Sequence, residues 1–215
     1  EEVEPILERV GHYESIKYAN NDYYLASYNN HELVIAYSKI GKVNAALSAT
    51  LMIEKFGAKK LIFSGVAGAI NPSLKIGDLI YATKLYQHDV DITAFGHPYG
   101  FIPESKHFYE SDPSLNELAK KVATELGIGI SSGVIATGDQ FIADEKKKNW
   151  IKDTFDADAL EMEGASVAAI CDSLSIPFFI LRAISDAADM DAGFSFDEFL
   201  KSSAKNSADF AFKML

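Results

Sequence analysis

The chain has 215 residues, 48% of them apolar, with a formal net charge of -11. That much apolar content builds a sizeable core and excludes a disordered chain, and the excess of negative charge argues against nucleic acid or an anionic membrane surface as a partner. One cysteine, Cys171, rules out an internal disulfide and a cysteine-ligated zinc site and suits a reducing compartment; with no signal peptide and no apolar run of the ~20 residues a membrane span needs, the expected location is the cytoplasm.

In chain order, Tyr23–Tyr28 and Glu32–Ser38 read as strands joined by Asn29-Asn30, a hairpin signal. Apolar residues at Val43, Ala46, Leu47 and Leu51 predict a helix over Gly41–Phe56, stopped by Gly57. KLIFSGVAGAI is then a β-rich run expected to enter a glycine turn at Gly65 and Gly68, and Asp78–Ile92 is a long strand. Ala94–Asp112, rich in Gly, Pro, His and aromatic residues, is a long loop. Ser114–Leu126 is a helix with Asp112 or Ser114 as its cap. A strand over Ile128–Thr137 leads through a loop into a helix carrying Lys146-Lys147-Lys148, which reads, like Lys59-Lys60, as a solvated helix end. Ala159–Met162 is a short strand, Glu163–Ser175 a helix, Ile176–Ser185 an apolar strand and Ser195–Met214 a terminal helix. Alternation of this kind predicts a single α/β domain over 1–215, a three-layer α/β/α sandwich on a largely parallel or mixed sheet, with ligands beyond the carboxyl ends of strands.

Two acidic stretches end strands and are expected to meet there. Asp186 closes the apolar run FFILRAISD; it serves either as a helix cap and partner of Arg182 or, beside a low-dielectric pocket, as a proton donor to a leaving group. Glu161 and Glu163, in ALEMEGASVAA, are expected on opposite sides of the chain and in different roles. One caps the following helix near its dipole, and the other faces a pocket where a carboxylate can hold vicinal hydroxyls. SGVAGAI lacks the Lys-Ser/Thr of a phosphate loop and the third glycine of a dinucleotide fingerprint. His88-Asp89-Val90-Asp91 has no histidine partner at metal-site spacing, so no metal is expected. Cys171 lies in an apolar helix as an inert thiol, and the aromatic residues Phe95, Phe101, Phe141 and Phe196 line either a flat-ligand site or the edge of the core.

Taken together, EMEGASVA, RAISDAAD, SGVAGAI, ATGDQFI, HDVDITAFG and SFDEFL resemble, in order along the whole chain, the signature segments of 5′-methylthioadenosine/S-adenosylhomocysteine nucleosidases. The resemblance implies a nucleoside phosphorylase-type fold, an α/β sandwich around a mixed, barrel-like sheet, usually in a homodimer. No cofactor is implied. It makes Asp186 the general acid that protonates adenine N7, with Ser185 orienting it. Glu163 becomes the carboxylate on the ribose hydroxyls, with Met162 against the sugar and Glu161 in support. Phe141 and Ile142 match the adenine slot and Phe196 another of its walls. Ile40 is placed among the substrate-binding residues, and Phe95, His97 and Pro103 match the 5′-substituent pocket, partly contributed by the neighbouring subunit. Glu2, just before Val3, takes the place of the acid that positions the attacking water. In the family a strand ending in a small-residue turn and a methionine precedes that segment, so such a strand is expected before Glu1. The HDVDITAFGHP loop and His97 further resemble members that cleave 6-amino-6-deoxyfutalosine, a menaquinone precursor.

A phosphorylase is the competing enzyme class. It needs cationic groups for phosphate, and the chain has two arginines, Arg9 and Arg182, and apolar Val66 and Ala67 in the glycine segment. A non-catalytic nucleoside-binding protein is the third reading, and it predicts loss of a key carboxylate, whereas Glu2, Glu163 and Asp186 are all present.

Overall fold

The computed structural model describes residues 3–188 and 192–215. A short helix α1 (Glu4–Val10) leads into an antiparallel three-stranded sheet of β1 (Glu14–Tyr18), β2 (Asn21–Tyr28) and β3 (His31–Ala36). The β2–β3 turn is the Asn29-Asn30 pair, both at positive φ (47° and 64°), the left-handed geometry that asparagine tolerates and a two-residue hairpin requires. Helix α2 (Lys42–Glu54) follows and ends before Gly57, at φ 76°.

The remaining strands form one mixed sheet: β4 (Leu61–Ala69), β5 (Leu79–Gln87), β6 (Tyr109–Glu110), β7 (Ser131–Thr137), β8 (Ala159–Glu161) and β9 (Phe178–Asp186). Their order is β6-β5-β7-β8-β4-β9, and β5 also pairs with β9, so the sheet curls round and closes on itself. Between them run α3 (Pro113–Leu126), α4 (Glu145–Phe155) and α5 (Gly164–Ser173), and α6 (Ala192–Lys213) ends the chain. The mixed sheet expected from sequence is present; its closure comes from the long β5, which serves three partners.

Strand β9 shows why its sequence, Arg182 excepted, is apolar up to Ser185. Ile180 and Ile184 join a core with Ala45, Ala49 and Ile53 of α2 and Ala165, Ala168 and Cys171 of α5. Phe179, Leu181 and Ala183, pointing the other way, join Leu115, Ala119 and Val122 of α3 and Phe210 of α6. A strand covered on both faces carries a near-continuous apolar run, and the charged side chain within this one, Arg182, is buried against Glu161. Asp112 caps α3, accepting from the N–H groups of Ser114 (2.9 Å) and Leu115 (3.1 Å).

Several local expectations change. Gly65 and Gly68 form no turn: β4 runs straight through both. The long strand after Asp78 stops at Gln87, where the chain turns and Asp91 accepts from Thr93 N–H at 2.9 Å to open a 3₁₀ turn over Thr93–Phe95. Helix α1 and strand β1 have no signal in the sequence: α1 buries no residue, and β1 is almost wholly exposed, so neither carries a hydrophobic period.

Candidate active site

A cavity of about 570 Å³ opens where β4, β8 and β9 end. Ser185 and Asp186, at the carboxyl end of β9, stand on one wall; Met162 and Glu163, just past β8, stand on another; Phe141 and Ile142, from the β7–α4 segment, form a third. Ile40 and Phe196 complete the rim.

Asp186 is 3% exposed. Its Oδ2 accepts from the Ser185 hydroxyl at 2.9 Å and its Oδ1 from the Ala188 N–H at 2.8 Å. The carboxyl group is therefore aimed by two fixed donors. Gly68 makes room for it: a Cβ at that position would lie 2.6 Å from Asp186 Oδ1. The glycine that the sequence suggested for a turn serves a close approach between β4 and β9, at a register shift between Ala67 and Gly68.

Glu161 and Glu163 do take different roles, though not by strand alternation, which puts residues two apart on one face. They part because β8 ends at Glu161 and the backbone turns at Glu163 (φ -137°, ψ -36°) to start α5. Glu161 is the capping acid: its Oε2 accepts from Gly164 N–H (2.7 Å) and Glu163 N–H (3.1 Å). The same oxygen lies 2.6 Å from Arg182 Nη2, and Thr137 donates to Oε1. This ion pair is almost fully enclosed, with Arg182 1% exposed. Arg182 also donates to the carbonyls of Leu181 (3.0 Å) and Phe63 (3.3 Å), and its guanidinium lies over the Phe63 ring. Glu163 reaches the cavity wall and accepts from Gly41 N–H at 2.8 Å.

The rings of Phe141 and Phe196 meet edge to face, centroids 5.6 Å apart. Phe141 is half exposed, as expected of a ring able to stack on a flat group. The arrangement thus offers a buried, oriented carboxyl group at one end, an aromatic slot beside it and a second carboxylate across the cavity. That set can bind a base and its sugar and protonate the base. Among the described residues the cavity wall carries two cations, and both are engaged. Arg182 is neutralised by Glu161, and Lys39 Nζ is held by the Asn20 carbonyl at 2.5 Å. The wall is poorly furnished for phosphate.

Phe95, His97 and Pro103 are not brought to this cavity within one chain. All three are exposed, Phe95 by 82%, and His97 stacks on Phe101 with centroids 4.5 Å apart. Glu2 lies outside the described residues. In the His88–Asp91 segment, Asp89 pairs with Lys42 at 2.7 Å and Asp91 accepts from Thr93 N–H at 2.9 Å. His88 is buried and, among the described residues, neither ring nitrogen has a hydrogen-bond partner; burial pushes its pKa down to about 4. Cys171 is fully buried, and burial pushes its thiol up to about 12, in keeping with an inert core residue. Among the described residues no helix is long and apolar enough to cross a membrane. Sequence reasoning did not single out Gly41, Gly68, Thr137 or Ala188 as shaping the site. Of these, Gly68 alone had a signal, an isolated glycine within a strand pattern.

The whole chain, residues 1–215, matches the family described as the Phosphorylase superfamily. It is 62% identical over 214 residues to the aminodeoxyfutalosine nucleosidase of Campylobacter jejuni, an alignment that takes in 100% of this chain and 93% of that one. The solved structure of a Campylobacter jejuni 5′-methylthioadenosine/S-adenosylhomocysteine nucleosidase superposes with a TM-score of 0.95 at 61% identity, covering 99% of this chain and 93% of the other. A Helicobacter pylori mutant of such a nucleosidase, solved with 5′-methylthioadenosine in its active site, superposes with a TM-score of 0.98 at 51% identity, with 99% and 93% covered. With its fold matched by these relatives over its whole length, the chain belongs to the phosphorylase superfamily and, within it, to the 5′-methylthioadenosine/S-adenosylhomocysteine nucleosidases, hydrolases of the N-glycosidic bond.

Proposed function

We propose that this nucleosidase releases adenine from nucleosides with an extended 5′ substituent: 5′-methylthioadenosine, S-adenosylhomocysteine and 6-amino-6-deoxyfutalosine. The observation that carries the reading is the pair of carboxylates in one cavity, Asp186 held by Ser185 and Ala188 and Glu163 held by Gly41, with the Phe141–Phe196 slot beside them. As the bond from ribose C1′ to adenine N9 lengthens, positive charge grows on the sugar and negative charge on the base. Asp186 gives its proton to N7, so adenine leaves neutral. Glu163 takes the ribose hydroxyls, and its charge stabilises the cationic sugar. A water oxygen then bonds to C1′ on the face away from the base. Glu2 is assigned the proton of that water on the strength of the sequence resemblance. One placed proton donor contributes typically ~10²–10⁴ in rate.

The exposed loop of Phe95, His97 and Pro103 supports a homodimer in which this loop closes the 5′ end of the partner's cavity, and the likeness to aminodeoxyfutalosine nucleosidases of Campylobacter jejuni and Helicobacter pylori supports the third substrate. The substrates and the single, reduced cysteine fit a cytoplasmic enzyme. Adenine release from the three nucleosides, each with and without phosphate, tests the reading. Release independent of phosphate, with free sugar as co-product, is expected; release that requires phosphate, or none from any of the three, would overturn it.

A further inference from the structure

Behind the cavity wall lies a closed ring of hydrogen bonds that the chemistry just described does not use. Lys42, at the start of α2, places its Nζ 2.7 Å from Asp89 Oδ1 and 3.1 Å from Gln87 Oε1. The other oxygen of Asp89 accepts from Asp139 N–H at 2.9 Å. Asp139 in turn accepts the backbone N–H of Lys42 on its Oδ1, at 2.7 Å. Three stretches far apart in sequence are thereby tied together: the entry to α2, the segment after β5 and the segment after β7. Lys42 and Asp89 are mostly enclosed, their side chains 17% and 12% exposed. Such an ion pair is held more firmly than a surface one, whose net worth is small. Neither lines the cavity.

What the ring holds is the cavity's furniture. The residue before Lys42 is Gly41, whose N–H donates to Glu163 Oε1 at 2.8 Å. The residues after Asp139 are Gln140, Phe141 and Ile142, all on the cavity wall. Two of the tied segments pass so close that a Cβ on Gly41, at φ 89°, would lie 2.9 Å from Asp139 Oδ1. Both the carboxylate facing the sugar and the aromatic facing the base therefore hang from one framework, and its full charges are those of Lys42, Asp89 and Asp139.

We infer that Lys42 and Asp89 are positioning residues of this nucleosidase: together they set Glu163 at the ribose hydroxyls and the Phe141–Ile142 segment at the base without touching substrate. This rests on the function proposed above. The test measures kcat and KM for Lys42→Met, Asp89→Asn and Lys42→Arg against wild type, with 5′-methylthioadenosine and with its 3′-deoxy analogue, well below each variant's melting temperature. Breaking the ring should lower kcat/KM for methylthioadenosine by about 10–100-fold, the scale of a misplacement of up to 1 Å. The preference over the 3′-deoxy analogue should shrink by a similar factor, since a displaced Glu163 no longer grips the hydroxyl that the analogue lacks. Lys42→Arg, which keeps the charge, should restore most of both. A purely structural pair would lower the melting temperature and leave that preference intact; unchanged preference in Lys42→Met, or equal loss on both substrates, overturns the inference. A wild-type enzyme inactive on methylthioadenosine would sink the functional reading first and this one with it. An active wild type with indifferent variants would sink this one alone.

Discussion

Replacing Gly68 with alanine tests whether the placement of Asp186 depends on space left by a neighbouring strand. The added Cβ would stand 2.6 Å from Asp186 Oδ1, 3.1 Å from Ala188 Cβ and 3.3 Å from Asp186 Cγ. Ordinary contact begins at 3.4 Å, so the carboxylate oxygen must retreat by 3.4 − 2.6, about 0.8 Å. Retreat along the bond from Ala188 N–H, now 2.8 Å, would take that donor out of range. A shift near 1 Å at a reacting group costs roughly 10²-fold in rate. Crowding of this kind destabilises by about 1–3 kcal/mol, partly offset by about 0.4–1 kcal/mol from the stiffer unfolded chain, so the variant remains folded at room temperature. Steady-state release of adenine from methylthioadenosine, with a thermal melt alongside, should show kcat down about 10²-fold with KM little changed, because Phe141 and Glu163 are untouched. Gly129→Ala, where the new Cβ meets nothing within 4 Å, is the control. A folded Gly68→Ala enzyme with wild-type kcat would refute the reasoning.

Asp186→Asn should bind methylthioadenosine and lose ~10²–10⁴ of turnover, because an amide has no proton to give; calorimetric titration beside a rate assay separates the two. Glu161→Gln leaves Arg182 charged in a wall from which water is excluded, and should lower stability by about 3–5 kcal/mol in denaturant titration. Removing the charge at both positions should cost less than removing it at Glu161 alone. His88, neutral by burial near Asp89, Lys147, Lys42 and Glu161, has its pKa depressed from 6.5 to about 4. Between those values the unfolded chain binds a proton that the folded chain does not, so stability contributed by this group is present above pH 6.5 and falls as pH drops toward 4, by up to ~3 kcal/mol. Melts of wild type and His88→Phe across that window should show a shallower slope in the variant. Cys171 should resist iodoacetamide in the native protein and react once the chain is unfolded.

The elements legible from sequence are those whose cause is local. The β2–β3 hairpin follows from two asparagines that accept left-handed geometry, and the α3 boundary from an aspartate able to cap it. Strand β9 follows from an apolar run that only a doubly covered strand can use. Asp186 closes that run, which Arg182 and Ser185 interrupt, and the structure puts it on the cavity wall. The resemblance in EMEG and RAISD then supplies roles that no periodicity can supply.

What the sequence could not determine are partnerships between distant residues. Glycine at 68 reads as a turn until Asp186, 118 positions later, claims the space of its missing side chain. Glu161 reads as a supporting acid and Arg182 as an ion-pair partner for Asp186 until closure of the sheet buries Glu161 and Arg182 against each other. Lys42, Asp89 and Asp139 have no pattern at all, because a ring formed from three separate segments has no period in the chain. Sequence alone determined most of the strands and helices, α1 and β1 excepted, since backbone preference is a property of short stretches, and the resemblance named the side chains expected to carry glycosidic chemistry. Only the tertiary structure decided which of the two glutamates on the cavity wall caps a helix and pairs with Arg182, which takes the Gly41 N–H, and which glycine makes room for Asp186, because those choices depend on distances that exist only once the sheet has closed.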